Sequence, residues 1–142
     1  MSDETLMELA LQAREHSYSP YSHFRVGAAL LCADGSVYTG CNLENAAFTP
    51  GICAERTAIY KAVSEGRRDF QAIAIAGGPE DGAPALTAPC GVCRQVMREF
   101  CDPETFRIIL GAGTGEKQVY LLKELLPLSF GPDNLNGKER HS

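Results

Sequence analysis

The chain has 142 residues, with eighteen acidic and thirteen basic side chains, and carries a formal net charge of −5. A chain of this length can bury about 68–70% of its unfolded surface as a single domain without disulfide bonds. The acidic balance argues against a nucleic-acid partner, because phosphates are bound by basic surfaces. The longest apolar runs are too short to span a bilayer, so we expect no membrane association. Six cysteines and the absence of an apolar signal segment at the N-terminus lead us to expect a reducing, cytoplasmic location.

Hydrophobic periodicity predicts alternating helices and strands. The first helix should end near Glu15, because apolar side chains repeat at helical spacing up to that point. A second helix is expected over residues 53–65, where Gly66 ends it, and a third begins near Cys90. Five short apolar runs predict strands, at residues 26–32, 37–41, 70–76, 106–110 and 118–122.

The connections between the strands predict their directions. Asp34 and Gly35 separate the first two strands and are typical of a tight hairpin, so these strands should be antiparallel. Residues 111–117 join the last two strands and are too few for a parallel crossover, which predicts a second antiparallel pair. The glycines of this connection indicate a turn and not a phosphate loop, because no helix follows them.

Three cysteines have the spacing of a metal site. Cys90 and Cys93 lie on one face of the third helix and can bind the same ion. Cys53, at the start of the second helix, can supply a third thiolate. Glu55 follows two residues later and points in a different direction, beside the ion and not onto it. Three protein ligands leave one position open for water, which is the arrangement of catalytic zinc.

The charges at the two helix starts agree with this interpretation. A helix N-terminus carries a partial positive charge and free N–H donors, so it favours a thiolate over a thiol. Three thiolates on a divalent ion leave a net negative charge. Arg56, next to Glu55, is a candidate for electrostatic support of such a site.

Two other interpretations of the cysteines remain open on these residues alone. Cys90 and Cys93 also have the spacing of a redox dithiol at a helix start, although a redox pair needs neither Cys53 nor Glu55. A structural zinc site would need four protein ligands, and the sequence offers no second pair at the closed spacing of such a site.

The pattern Cys-x-Glu at residues 53–55 followed by Pro-Cys-x-x-Cys at residues 89–93 resembles the zinc-dependent nucleoside and nucleotide deaminases. Further segments resemble the small homotetrameric cytidine deaminases, namely residues 19–29, 40–47, 53–58, 125–127 and 130–132. This resemblance implies an α/β fold of three α-β-α layers around a five-stranded mixed sheet. It implies a catalytic domain over residues 1–135. Residues 136–142 have no counterpart in this resemblance, and their composition predicts a polar C-terminal tail.

The resemblance also implies an activity. Members of this family hydrolyse cytidine and deoxycytidine to uridine and deoxyuridine with release of ammonia, in pyrimidine salvage. It implies one zinc ion per chain on Cys53, Cys90 and Cys93, with Glu55 as the catalytic acid and base. It further implies a homotetramer whose active sites are shared between subunits, with a small nucleoside as substrate.

Six substrate-binding residues follow from the same resemblance. Phe24 would lie against the pyrimidine ring, Asn42 and Glu44 would bind the ribose hydroxyls, and the backbone of Ala54 would face the O2 and N3 edge. On the sequence alone, Phe24 in an irregular connector and a solvated Asn42 and Glu44 are equally acceptable.

The last two of the six, Phe48 and Phe130, would reach into the pockets of adjacent subunits. Position 48 is Phe where the family often has Tyr, so only a packing role is expected there. The alternative for Phe130 is that it folds back onto its own sheet.

Overall fold

Residues 1–111 and 115–136 of a computed structural model are described, and they form a five-stranded sheet with helices on both faces. The helices are α1 (Asp3–Arg14), α2 (Ala54–Ser64), α3 (Gly91–Phe100), α4 (Leu122–Leu125) and α5 (Pro132–Asn136). The strands are β1 (Phe24–Cys32), β2 (Val37–Cys41), β3 (Phe70–Pro79), β4 (Arg107–Gly111) and β5 (Lys117–Leu121). None of the helices within these ranges is both long and apolar enough to cross a membrane.

The strands are arranged in the order β2-β1-β3-β4-β5. Only β3 and β4 are parallel, and α3 forms the crossover between them. The predicted antiparallel pairs β1–β2 and β4–β5 are confirmed. The centre of the predicted turn, residues 112–114, and most of the predicted tail, residues 137–142, lie outside the described residues.

The two faces of the sheet form two separate cores, because side chains alternate along each strand. On one face α1 contributes Leu6, Met7 and Ala10. These pack on strand residues that share that face, namely Ala29, Leu31, Ala72, Ala74, Ala76 and Ile109. The opposite face carries α2 and α3, packed on Ala28, Leu30, Ile73, Ile75, Ile108 and Leu110. The expected three α-β-α layers are therefore present.

Some element boundaries differ from the sequence-based ones. β1 and β3 extend further than predicted because they pair along their whole length, up to Phe24 opposite Pro79. Helices α2 and α3 each begin one residue after a cysteine, so Cys53 and Cys90 are N-cap residues. The short helix α5 was not predicted, since its five residues are too few for a hydrophobic period.

The topology brings α2 and α3 to the same edge of the sheet. Strands β2 and β3 both pair antiparallel to β1, so they run in the same direction and end at one edge, near Cys41 and Pro79. The chain leaves each strand there and returns over the same face as a helix. The N-termini of α2 and α3 consequently meet beside the start of β1.

Gly40 lets α2 lie directly on β2. A Cβ at this position would be 2.6 Å from the Ala58 nitrogen and 2.7 Å from the Ala54 carbonyl oxygen. Both atoms belong to the backbone of α2, so the helix would have to move away from the sheet. Because Cys53 and Glu55 stand at the start of this helix, the contact also sets their position.

We therefore expect Gly40→Ala to lower both the stability and the zinc content of the protein. Overpacking of this kind costs about 1–3 kcal/mol. Thermal unfolding and metal analysis of the purified variant measure the two effects. Gly82→Ala is the matched control, because a Cβ there meets other atoms only at 3.5 Å or beyond. An unchanged unfolding temperature and zinc content in Gly40→Ala would contradict this account of the packing.

Candidate metal centre and active site

The thiols of Cys53, Cys90 and Cys93 converge where the two helix N-termini meet. The Sγ atoms of Cys53 and Cys90 are 3.7 Å apart, and those of Cys90 and Cys93 are 3.4 Å apart. All three sulfurs lie within 4.8 Å of one another. The sequence-based prediction that these residues share a site therefore agrees with the geometry.

The donor set and its spacing fit a zinc ion. Two thiolates that bind one tetrahedral zinc ion at about 2.3 Å are about 3.8 Å apart, close to the observed separations. Cys93 is fully buried, Cys53 is partly buried and Cys90 is exposed, so the cluster is open on one side. Within residues 1–111 and 115–136, no fourth His, Cys, Asp or Glu joins the cluster.

The protein environment favours a thiolate at Cys53. A hydrogen bond with Cys93 and another from Arg56 lower the pKa of the Cys53 thiol to about 5, although burial opposes this. The same bond with Cys53, together with burial, raises the pKa of the Cys93 thiol above its usual range. One thiolate is therefore held even before a cation binds.

Arg56 is the cationic partner of this cluster. Its Nη2 donates to the Cys53 Sγ at 3.5 Å, and this bond raises the pKa of the guanidinium. Its Nε is buried and has no hydrogen-bond partner within the described part of the chain. The structure thus places Arg56 where the sequence predicts it, against a thiolate.

Glu55 lies next to the sulfurs without joining their cluster. It occupies the first turn of α2 and is only 4% exposed. Burial raises the pKa of its carboxyl group to about 7, and its own backbone N–H partly offsets this. A buried carboxyl group that titrates near neutrality suits proton transfer.

A cavity of about 620 Å³ opens in front of the cysteines and Glu55. Its wall includes Cys53, Ala54, Glu55, Arg56 and Cys90, together with residues 42–46 that follow β2. Ala54 is fully buried, and its backbone belongs to the first helical turn, whose N–H groups have no partner within the helix. The cavity is large enough for a small organic molecule.

Asn42 lines the cavity and also holds the surrounding backbone together. Its Oδ1 accepts from the Val26 N–H at 2.9 Å and from the Ser17 hydroxyl, while its Nδ2 donates to the Phe24 carbonyl at 2.8 Å. These bonds fix the amide orientation and leave one N–H of the Nδ2 group for a ligand. The alternative of a merely solvated Asn42 is therefore wrong.

Glu44 is fixed in the same way. Its Oε1 accepts from the backbone N–H groups of Tyr21 and Ser22, each at 3.1 Å, and its Oε2 accepts from the Ser22 hydroxyl. These hydrogen bonds, led by the one from the Ser22 hydroxyl, lower the pKa of the Glu44 carboxyl group. The carboxylate retains free lone pairs that can accept from a ligand in the cavity.

The three predicted phenylalanines lie in different surroundings. Phe24 is 37% exposed and does not line the cavity, although Ser22 and Val26 on either side of it do. Phe48 lines the cavity mouth and is 99% exposed. Phe130 lies away from the cavity of its own chain and is 58% exposed, so it does not fold back onto its own sheet.

The sequence interpretation missed part of the cavity wall. Tyr21 and Ser22 contribute through the N–H groups that bind Glu44, and Thr87 and Ala88 contribute from the loop before α3. Thr87 and Ala88 directly precede Pro89 and Cys90, and this position in the sequence could have identified them as part of the cavity wall. Nothing in the sequence periodicity identifies a residue that acts through its backbone.

Comparison with known proteins agrees with this geometry. Residues 1–109 match the family described as the cytidine and deoxycytidylate deaminase zinc-binding region. A cytidine deaminase of Halalkalibacterium halodurans is 48% identical over 136 residues, covering 96% of this chain and 99% of the relative. A cytidine deaminase of Sporosarcina psychrophila is 43% identical over 136 residues, covering 96% of each protein.

Solved structures show the same fold. The crystal structure of cytidine deaminase from Burkholderia pseudomallei matches with a TM-score of 0.84 and 45% identity, covering 92% of this chain and 100% of that one. The structure of cytidine deaminase from Mycobacterium tuberculosis matches with a TM-score of 0.77 and 36% identity, covering 92% of this chain and 99% of that one. The chain therefore belongs to the zinc-binding cytidine and deoxycytidylate deaminase family, a family of hydrolytic enzymes.

Proposed function

We propose that the chain hydrolyses cytidine and deoxycytidine to uridine and deoxyuridine with release of ammonia, and so serves pyrimidine salvage. The observation that carries this proposal is a cluster of three thiols beside one cavity, whose wall includes Cys53, Cys90 and the buried carboxyl group of Glu55. Neither a redox pair nor a structural zinc site accounts for Glu55 in that position. The family relationship supports the same conclusion.

The three cysteines would hold one zinc ion per chain. When bound, zinc supplies the Lewis acidity that makes a water molecule nucleophilic near neutral pH. Arg56 donates to Cys53 and would offset part of the negative charge of three thiolates. This charge balance would preserve the Lewis acidity of the ion.

Glu55 would carry the protons of the reaction. Its carboxylate takes a proton from the attacking water and delivers it to N3 of the pyrimidine while a C4–O bond forms. The second proton of that water then passes through the same carboxyl group to the amino nitrogen. The C4–N bond breaks, and ammonia leaves as the C4 carbonyl of uridine forms.

Asn42 and Glu44 would together recognise one sugar hydroxyl. Asn42 has one N–H left to donate, and Glu44 has lone pairs left to accept. A hydroxyl group can accept from the first and donate to the second at once. Since ribose and deoxyribose are both proposed substrates, this hydroxyl is the 3′ or the 5′ group and not the 2′ group.

The charges of the cavity favour a nucleoside over a nucleotide. Among the described residues that line it, Glu44 and Glu55 are acidic and Arg56 is the one cation. Arg56 already binds Cys53, so a phosphate would find carboxylates instead of a free positive partner.

The active sites would be completed by assembly into a homotetramer. Phe48, Leu128, Phe130 and Leu135 are between 58% and 106% exposed in the single chain. Leu128, Phe130 and Leu135 also lie close together in the sequence, and clustered exposed apolar groups mark interaction surfaces. Phe48 and Phe130 would enter the pockets of neighbouring subunits and close them over the pyrimidine. Phe24 would stack on the base once the pocket is closed in this way.

The first test separates metal binding from proton transfer at Glu55. Glu55→Gln should keep one zinc per chain, because its carboxylate lies outside the sulfur cluster. Its kcat should fall by about 10² to 10⁴, the contribution of a positioned acid or base. Metal analysis and steady-state kinetics measure both. Loss of zinc would make Glu55 a ligand, and full activity without zinc would refute the proposed reaction.

The second test concerns the sugar hydroxyl. Deoxycytidine should react better than its 3′-deoxy or 5′-deoxy derivative, by about ten- to a hundredfold in kcat/KM, the worth of one hydrogen bond to a charged group. Glu44→Gln should reduce this difference in kcat/KM between the substrates to less than tenfold, because the neutral amide is the weaker acceptor. Glu104→Gln is the control, because Glu104 is an exposed carboxylate that pairs with Lys123 and does not line the cavity, so the difference in kcat/KM should remain. If Glu44→Gln kept the full difference in kcat/KM between the substrates, Glu44 would not recognise the hydroxyl group.

The third test uses mixed oligomers. Phe130→Ala chains should have a raised KM, and Glu55→Gln chains should be nearly inactive. The two variants are then refolded together. Pockets of Phe130→Ala chains, which keep Glu55, should receive Phe130 from Glu55→Gln chains, and a fraction of sites with wild-type KM should reappear. Mixing Phe130→Ala with the double variant Glu55→Gln/Phe130→Ala should give no recovery. A fully active monomer, or an unchanged KM in Phe130→Ala, would refute the shared site.

A further inference from the structure

Polar side chains of α3 hold the C-terminal segment that carries Phe130. Gln95 donates from Nε2 to the Phe130 carbonyl at 2.8 Å. Arg98 donates from Nε to the Ser129 hydroxyl at 2.8 Å and from Nη2 to Asp133 Oδ1 at 2.6 Å. The segment is therefore held through the backbone carbonyl of Phe130 itself and through the side chains of Ser129 and Asp133 on either side of it.

Arg98 is buried by this segment. Its side chain is 7% exposed, whereas that of its partner Asp133 is 29% exposed. A Cβ at Gly131 would be 2.3 Å from both Cζ and Nη1 of Arg98, so only glycine lets the chain pass across the guanidinium. A buried guanidinium is costly unless its partners are fixed in place, and here they lie on one short segment.

The segment also has internal hydrogen bonds. The Gly131 N–H donates to Asn134 Oδ1 at 2.8 Å, and the Asn134 N–H donates to the Gly131 carbonyl at 3.0 Å. Leu128 adopts a φ of 51°, in the left-handed region that a leucine occupies at a cost. The backbone on both sides of Phe130 is thus fixed, while the ring itself is 58% exposed.

We propose that Arg98 and Asp133 are positioning residues that hold Phe130 in the orientation in which it enters a neighbouring subunit's pocket. This inference rests on the shared site proposed above. A short segment without such contacts would have to be ordered each time a pocket closes, and this ordering would cost free energy. The ion pair between Arg98 and Asp133 orders the segment in advance, in the subunit that provides the ring, and it makes no contact with the ring itself.

Asp133→Ala tests the inference, since the Asp133 side chain is 29% exposed and belongs to neither hydrophobic core. The KM for cytidine should rise about three- to tenfold, less than the full worth of a hydrogen bond to a charged group, because Gln95 and Ser129 still hold the segment. The kcat, the zinc content and the sedimentation coefficient should equal the wild-type values. Asp133→Glu should restore the KM, because a longer carboxylate still reaches Arg98. Arg98→Met keeps the apolar stem of the side chain but removes the other partner of the ion pair, so it should raise the KM in the same way.

A double-variant comparison shows whether the effect passes through Phe130. In a Phe130→Ala background, Asp133→Ala should raise the KM by less than about twofold further, because coupled residues are not additive. Asp3→Ala is the matched control. Asp3 binds Arg107 at 3.0 Å and is 31% exposed, but it lies in α1, on the other face of the sheet. It should leave the KM unchanged.

The other outcomes would contradict the proposed role of Arg98 and Asp133. An unchanged KM in Phe130→Ala refutes the shared site and this inference with it. A raised KM in Phe130→Ala with a normal KM in Asp133→Ala refutes the inference alone. Multiplying effects in the double variant, or dissociation of Asp133→Ala at the assay concentration, would mean that Asp133 acts on something other than Phe130.

Discussion

The meeting of two helix N-termini at one edge of the sheet is the constraint on which the site depends. Strands β2 and β3 run in the same direction on either side of β1, so α2 and α3 both begin at that edge. Cys53 and Cys90 are the N-cap residues of these helices, and neither side chain caps its own helix. The unpaired N–H groups and the helix dipoles therefore act on the sulfurs, which favours thiolates and a bound cation.

Helix α3 connects the metal centre to the C-terminal segment. Cys93 and Met97 are fully buried under the sheet-facing side of this helix. Gln95 and Arg98 leave the helix towards residues 129–133. A displacement of α3 would consequently move both a metal ligand and the backbone of Phe130. On the proposed function, zinc binding and presentation of that ring would be mechanically linked through one ten-residue helix.

The sequence predicted the layers, the strand pairs and the sulfur cluster, because each depends on short-range spacing or on a recognisable motif. It did not predict the burial of Arg98, since a charged residue on an amphipathic helix is normally assigned to solvent. That burial depends on Asp133 and Gly131, more than thirty residues away, and no local period encodes it. The internal bonds of Asn42 were missed for the same reason, because they join β1 to the chain that follows β2.

The groups proposed to act on the substrate differ in how firmly the single chain holds them. Asn42 and Glu44 are fixed by hydrogen bonds inside the chain, and Glu55 by burial in the first turn of α2. Phe48 and the ring of Phe130 are largely exposed in the single chain, so packing within the described residues contributes little to their position. On the proposed assembly, the chemistry is built into each subunit while closure over the base comes from its neighbours. Dilution would then raise the KM before it affects the zinc content, because the two properties depend on different contacts.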